Sequence, residues 1–465
     1  MQVSHTQDMT TGSVTGHLIR FSLPLLAGNL FQQLYNMVDS IVVGNYVGAN
    51  ALAAVGACGS LNFLFFAMTS GVAIGVGILI SQFFGAGDTA QVKRTIANSI
   101  YVLGVISVLV SAVGFCFARQ ILVFLSTPAE ILADATIYLQ TTCAGIVAVA
   151  AYNGISAVLR ALGDSRTPLI FLILASVINV VLDLVFVLYF HAGVFGVALA
   201  TIFAQAISAI SCIFYACRRL PYFRLSPAER ALDSGIIVRS LEIGTPVALQ
   251  SSLIAISCLV LQSVVNGFGP TVVAVFTVTS RIEQLIQQPY SSLSTAVTTL
   301  TGQNIGAGKI ERVRAGMRSA TWITLAFSLG MLPVIWFFGG AIVAAFVKEP
   351  EVISMGITAL RITSVCYFPL GMIYMPRALL NGAGDARFAM INGLTEVVCR
   401  IVFSNWLTHI AALGCWGIWI TSGATWTVTA CVCLARYFGG KWKTMRLVAA
   451  RPADAAPQPP AERRT

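Results

Sequence analysis

Apolar runs of roughly twenty residues or more, divided by short joints rich in Gly, Pro, Arg and Lys, recur along almost the whole chain. A helix needs about 20 apolar residues to cross a bilayer. The runs lack the strict alternation of a membrane-spanning strand. The pattern therefore predicts twelve spanning helices, at about 17–43, 51–83, 95–118, 130–159, 167–190, 194–217, 237–266, 272–303, 317–347, 352–380, 387–409 and 413–436. Several exceed the bilayer thickness and must tilt or protrude. Pro24, Pro246, Pro289, Pro369 and Pro376 fall inside runs, where each removes a helical hydrogen bond and favours a kink.

The pattern also repeats. Gly85-Ala86-Gly87 recurs as Gly306-Ala307-Gly308, Gly163-Asp164 as Gly384-Asp385, and Phe195-Gly196 as Trp416-Gly417, each 221 residues on. Pro24 and Pro128 return as Pro246 and Pro350 at an offset of 222. Six spans per half is an even number, so both halves enter from the same side. A pseudo-two-fold axis along the membrane normal should relate them. The predicted fold is an all-α integral membrane protein, with twelve helices in two pseudo-symmetric six-helix lobes around a central cavity. Residues 1–13 read as a tail, 14–217 as the N-lobe, 218–236 as a polar linker, 237–438 as the C-lobe and 439–465 as a disordered tail rich in Pro and Ala. Two equal lobes around a cavity are a transporter plan, whereas a pore usually closes its symmetry with identical subunits.

Composition agrees. Hydrophobic residues make up 57% and charged residues 10%, against about 25% charged in soluble domains. Residues 1–16 are polar, so no cleavable leader is expected there. Eleven scattered cysteines read as small buried hydrophobes, and four distant histidines show no metal spacing.

The net charge of +10 is informative through its placement. Fifteen basic residues, Arg160 and Arg377 among them, are assigned to loops on the side of the N-terminus, and the C-terminal segment adds seven. Arg119 and Lys348 alone fall on the opposite side, while Arg281, Arg361 and Arg400 lie within spans. This asymmetry places both termini in the cytoplasm, and the protein in the plasma (inner) membrane. Basic residues dispersed over short loops do not make a nucleic-acid face.

The glycine motifs GAGD (85–88 and 382–385) and GAGK (306–309) are not phosphate loops. From Gly302 to Gly308 there is one residue too many, and Ile310 stands where Ser or Thr is required. They read as turns at helix ends. Gly71 and Gly75, with Gly77, read as a close-packing seam. No catalytic constellation emerges, so no enzyme and no cofactor is expected.

Four acids fall well inside spans: Asp39, Asp183, Glu283 and Glu396. A carboxylate at membrane depth is costly and is normally paired, wetted or functional. Tyr35 and Asn36 lie one turn before Asp39, and Asn179 lies four residues before Asp183 on the same helix face. The pair can be a proton or cation site, or a polar cluster that holds helices together. In the second half, Glu396 and Arg400 have the favourable i, i+4 order of an ion pair, either structural or concerned with substrate and gating. Arg281, two residues from Glu283, lies on another face, so Glu283 can be unpaired.

Together these features resemble the multidrug and toxic compound extrusion (MATE) family over about residues 14–440. The matching segments are LYNMVDSIVVGNYVG, QFFGAGD, GQNIGAGK, LRALGDSRTP and NVVLD followed by GVALAT. The resemblance implies a monomeric secondary antiporter that exports amphipathic organic cations or lipophilic drugs in exchange for H+ or Na+ by alternating access. It implies a coupling-ion site at Asp39, Asn179 and Asp183, with Thr201, Asn153, Tyr35 and Asn36 nearby. Neutral residues around Ile254 stand where some members carry an acid in span 7. The alternative is a flippase for a lipid-linked oligosaccharide or cell-wall precursor, which would need several cations on the cavity wall.

Overall fold

The structure, a computed structural model, describes residues 6–125, 127–445 and 447. The N-lobe is built from α1 (Val14–Val42), α2 (Ala49–Ala86), α3 (Thr89–Phe124), α4 (Ala129–Ala144), α5 (Ile146–Ala161), α6 (Arg166–Leu184) and α7 (Gly193–Arg219). The C-lobe follows with α8 (Ser234–Asn266), α9 (Pro270–Gly306), α10 (Ile310–Ala344), α11 (Pro350–Ser364), α12 (Tyr367–Ala383), α13 (Ala386–Thr408) and α14 (Gly417–Phe438). The repeat is exact at several starts: Ala49 and Pro270, Ala129 and Pro350, and Ile146 and Tyr367 are each 221 apart. Local chemistry sets the ends. Asp88 caps α3 by accepting from the Gln91 N–H, and Asp233 caps α8 by accepting from Gly235 and Ile236. Gly87 and Gly384, both in the left-handed region, close α2 and α12.

Among the described residues, fourteen α-helices make twelve rods when the pairs α4–α5 and α11–α12, bent by 44° and 48°, are each taken as one span. Among the described residues, seven helices are long and apolar enough to cross a membrane unaided, and the bent pairs raise the number to nine. The remaining three, α1, α9 and α13, are long but more polar. They carry Asp39, Glu283 and the Glu396–Arg400 pair, whose polar faces turn inward. Large apolar side chains such as Phe124, Leu109, Phe214 and Phe337 stand exposed around the outside. This is a multi-pass membrane protein, with lipid covering what water would not.

The lobes meet along α2, which lies against α8 and α9, and along α1, which lies against α9. The predicted glycine seam is this interface at Gly71 and Gly75, while Gly77 packs against Ala157 of α5 within the N-lobe. A Cβ on Gly71 would stand 2.6 Å from the Ala248 Cβ, and one on Gly75 would stand 2.6 Å from the Ser240 carbonyl. Nearer the ends that carry the termini, a Cβ on Gly85 would overlap the Gln303 carbonyl, and one on Gly306 the Gln82 carbonyl.

Both tails are packed where they are described, which differs from the disorder expected after residue 438. Residues 6–13 are held on the C-lobe. Met9 is fully buried, Arg312 donates to the carbonyls of Met9, Thr11 and Gly12, and the Lys309 Nζ donates to the Thr10 carbonyl at 2.8 Å. The tail after 438 is likewise ordered at its start. Trp442 is buried against Tyr437 in a stacked pair, and the Leu447 N–H donates to the Gln82 Oε1 at 3.1 Å. Composition concealed this, because one Trp and one Leu do the anchoring. The rest of the predicted disordered tail, 448–465, lies outside the described residues.

Candidate functional site

Asp39 on α1 and Asp183 on α6 are close neighbours, near enough to interact through their carboxyl groups. Asp183 is fully buried and Asp39 half-buried. No protein donor reaches the Asp39 Oδ1 or either oxygen of Asp183. Asn179, one turn before Asp183, is also buried. Its Nδ2 donates to the Thr201 Oγ1 on α7 at 3.4 Å, while its Oδ1 has no partner. The Thr201 hydroxyl donates to the Val197 carbonyl. The result is a cluster of oxygens without donors, which burial makes costly unless a proton or a hard cation answers it.

Both acid-bearing helices change winding just beyond this point. Val43–Val47 and Val185–Tyr189 are π-helical and touch each other. Such π turns are frequent at functional sites.

Tyr35 is near Asp39, and Tyr138 of α4 stands close to both acids and to Tyr35. Tyr138 was not legible as a site residue, since a tyrosine in an apolar run carries no distinguishing signal. Asn36 is exposed, and its backbone carbonyl accepts from the Ser40 hydroxyl. The Asn153 Nδ2 donates to the Val149 carbonyl. Tyr35, Asn36, Tyr138, Asn153 and Thr201 all line one cavity of about 530 Å³ between the lobes, closed on the other side by Ser291 and Thr295 of α9. Asp39 and Asp183 do not line it; they sit behind that wall.

In the C-lobe, the Arg400 Nη2 lies 3.2 Å from the Glu396 Oε1, and both side chains are buried. Glu283 of α9 approaches Arg400 and Thr363, yet its Oε1 has no hydrogen-bond partner. Glu283, Glu396 and Arg400 thus form one cluster, while Arg281 is exposed and outside it. Among the described residues, no three His, Cys, Asp or Glu side chains converge as metal ligands.

One assignment is corrected. Arg160 and Arg377 are not loop residues. Arg160 is in the last turn of α5 and Arg377 is in mid-α12, and both line a second inter-lobe cavity of about 340 Å³. Arg160 lines the larger cavity as well. The helices run further than the apolar runs because the lobe interface, not lipid, surrounds their ends. Arg377 lay inside the predicted 352–380 run, and that was the available signal.

The second cavity ends at a seal. The Gln82 Nε2 on α2 donates to the Gly382 carbonyl at 2.9 Å, and the Gln303 Nε2 on α9 donates to the Ala161 carbonyl at 3.0 Å. Each glutamine's Oε1 accepts from a terminal segment, Leu447 N–H for Gln82 and Met9 N–H for Gln303.

The chain is similar to known proteins over most of its length. The sequence model of the MatE family matches residues 24–185 and 246–406. The Bacillus subtilis protein named "Probable multidrug resistance protein YpnP" is 31% identical over 95% of this chain and 98% of its own. A Thermotoga maritima protein named "Probable multidrug resistance protein NorM" is 24% identical over 92% of each chain. A solved MOP superfamily transporter from Pyrococcus furiosus superimposes with a TM-score of 0.88 at 24% identity, covering 96% of this chain and 99% of that one.

Proposed function

This chain belongs to the MatE family, and from that membership we propose that it exports amphipathic, lipophilic compounds from the cell in exchange for H+ or Na+. The observation that carries the reading is the proximity of Asp39 and Asp183 with no donor between them. Two carboxylates packed together in a low-dielectric wall repel each other and cannot be solvated, so the pair is incomplete without a cation. A proton closes a hydrogen bond between the two groups. A sodium ion is held by the same oxygens with the Asn179 Oδ1. Either species draws α1 and α6 together behind the cavity wall, and its release lets them part. Because Tyr35, Asn36 and Thr201 belong to both this region and the cavity wall, loading the site reshapes the substrate chamber.

The large cavity presents Phe63, Phe66, Tyr35 and Tyr138 to a ligand. These faces suit lipophilic rings and organic cations. In this reading both termini are cytoplasmic, the Gln82–Gln303 seal closes the cytoplasmic side, and the chamber serves the opposite face. Alternating access then consists of breaking that seal while the far side closes. The protein works as a monomer in the inner membrane and performs no covalent chemistry.

The alternative, a lipid-precursor flippase, requires cations on the cavity wall, and Arg160 and Arg377 are such cations. Two are fewer than that role calls for, and the aromatic chamber favours export of smaller compounds.

The test is efflux of ethidium from proteoliposomes under an imposed pH gradient and, separately, an imposed sodium gradient. Wild type should respond to one gradient, and Asp39→Asn to neither. Full gradient-driven efflux by Asp39→Asn would falsify the coupling role.

A further inference from the structure

We propose that the smaller inter-lobe cavity is a subsite for an anionic group, a phosphate or carboxylate on an amphipathic ligand, bound by Arg160 and Arg377 together. The inference rests on the reading of the inter-lobe space as a substrate path. It adds a charge class that the aromatic chamber does not provide for.

Arg160 and Arg377 line the same cavity of about 340 Å³. Among the described residues, no Asp or Glu lines either this cavity or the larger one. An arginine partly withdrawn from water between packed helices ordinarily finds a carboxylate, yet among the described residues neither Arg160 nor Arg377, both half-buried, forms an ion pair. The nearest acids in sequence are committed elsewhere. Asp164, four residues after Arg160, turns to cap α6, accepting from the N–H groups of Arg166 and Thr167 and from the Thr167 hydroxyl. Asp385, the repeat counterpart of Asp164, pairs with Arg436 at 2.7 Å. Glu396 pairs with Arg400.

Arg377 lies over the ring of Tyr374, 4.7 Å from its centroid, which fixes the plane of the guanidinium without neutralising it. A third donor completes the set. Gln250 of α8 lines the same cavity, is 4% exposed, and its Nε2 has no partner. Two arginines and an amide N–H lining one partly open inter-lobe cavity match the oxygens of a phosphate or carboxylate.

Position gives the subsite a consequence. Arg160 borders both cavities, so a ligand can rest its rings among the aromatic side chains and its anionic group between the arginines. The donors come from both lobes, Arg160 from the N-lobe and Arg377 and Gln250 from the C-lobe. An anion therefore bridges the two bodies that must separate during transport.

The experiment is isothermal titration calorimetry on the purified full-length protein in detergent, with no ion gradient, so that a failure of coupling leaves the binding result readable. The probes share one aryl group: 1-naphthyl phosphate, 1-naphthol and 1-naphthylmethylammonium. The phosphate should bind at least tenfold more tightly than 1-naphthol. Arg160→Gln and Arg377→Gln should each weaken it at least tenfold, while Arg361→Gln, on the outer side of α11, should leave it unchanged. Equal affinity for the phosphate and the neutral probe would overturn the proposal, as would wild-type phosphate affinity in both cavity variants. Should a cavity variant fail to fold, the wild-type preference decides alone, together with Arg160→Lys and Arg377→Lys, which should retain it in part. Competition identifies the source of the group: displacement by dihexanoylphosphatidylglycerol but not by inorganic phosphate points to a lipid headgroup, and displacement by inorganic phosphate points to a soluble anion.

Discussion

Gln82 and Gln303 are 221 residues apart, and each donates across the lobe interface to a carbonyl, that of Gly382 and that of Ala161, which are themselves 221 apart. The seal is therefore two-fold symmetric in its hydrogen bonds as well as in its helices. Its symmetry extends to the tails, since Met9 and Leu447 fill the remaining acceptor of each glutamine.

Replacing either glutamine by alanine leaves buried backbone groups unpaired at a cost of about 1–3 kcal/mol. That cost falls on the sealed state alone, because the bonds break when the lobes part. Gln82→Ala and Gln303→Ala should each raise the open population by about five- to 150-fold, about 1.4 kcal/mol corresponding to a factor of ten. Hydrogen–deuterium exchange should then speed up over residues 6–12 and 300–308. Unchanged exchange there in both variants would mean that the seal is held by packing, not by these bonds.

Gly85 and Gly306 should tolerate nothing larger. Gly85→Ala drives a methyl into the Gln303 carbonyl, and overpacking of this kind costs about 1–3 kcal/mol. Gly330→Ala in α10 meets no atom within 4 Å and should gain about 0.5–1 kcal/mol from helix propensity. Thermal unfolding in detergent should separate the two in opposite directions. A Gly85→Ala midpoint equal to wild type would show that α2 and α9 are not in tight contact there.

Asp39 and Asp183 should behave as a unit. If one cation serves both, Asp39→Asn and Asp183→Asn each lower gradient-driven efflux by at least about tenfold, and the double variant is no worse than the more severe single one. Multiplicative losses in the double-mutant cycle would mean two separate sites.

The C-lobe pair gives a stability prediction. Glu396→Gln removes the paired acid of the buried Arg400, leaving it only Glu283, and should cost up to about 3–5 kcal/mol, whereas the double change Glu396→Met with Arg400→Met should recover most of the loss. The remaining deficit reports on Glu283, which then loses its nearest cation. Equal unfolding midpoints for the single and double variants would assign Arg400 no structural debt to Glu396.

Outside the membrane, Glu229 of the linker is held below the ordinary carboxylate range, first by the Ser226 N–H at 2.6 Å and then by its side-chain contacts, Lys93 at 3.3 Å among them. Its folded-state value is depressed, so its contribution to linker order is present above its unfolded value of 4.5 and is lost as pH falls through the lower folded value. Amide exchange across residues 224–233 should accelerate in that acidic window in wild type. Glu229→Gln should show the fast exchange already at pH 7. Slow exchange in that variant would place the linker's order elsewhere.

The sequence by itself determined the architecture, because membrane solubility imposes periodic runs of apolar residues and a duplicated fold leaves its period in the turns. Pro, Gly and Asp at helix ends are local requirements and can be read residue by residue. The intramembrane acids were legible for the same reason: a carboxylate in an apolar run is conspicuous whatever its surroundings. Tertiary structure alone decided which of them meet. Asp39 lies 144 residues from Asp183, and their approach depends on how α1 packs on α6. It decided that Glu283 joins Glu396 and Arg400, whereas the two-residue offset along the helix had already put Arg281 on another face. It also moved Arg160 and Arg377 from assumed loops to a cavity wall, because a basic residue at the end of an apolar run reads alike whether the helix stops or continues between lobes. Only the packing of two lobes, each burying the other's polar faces, distinguishes a charge held in water from one kept for a ligand.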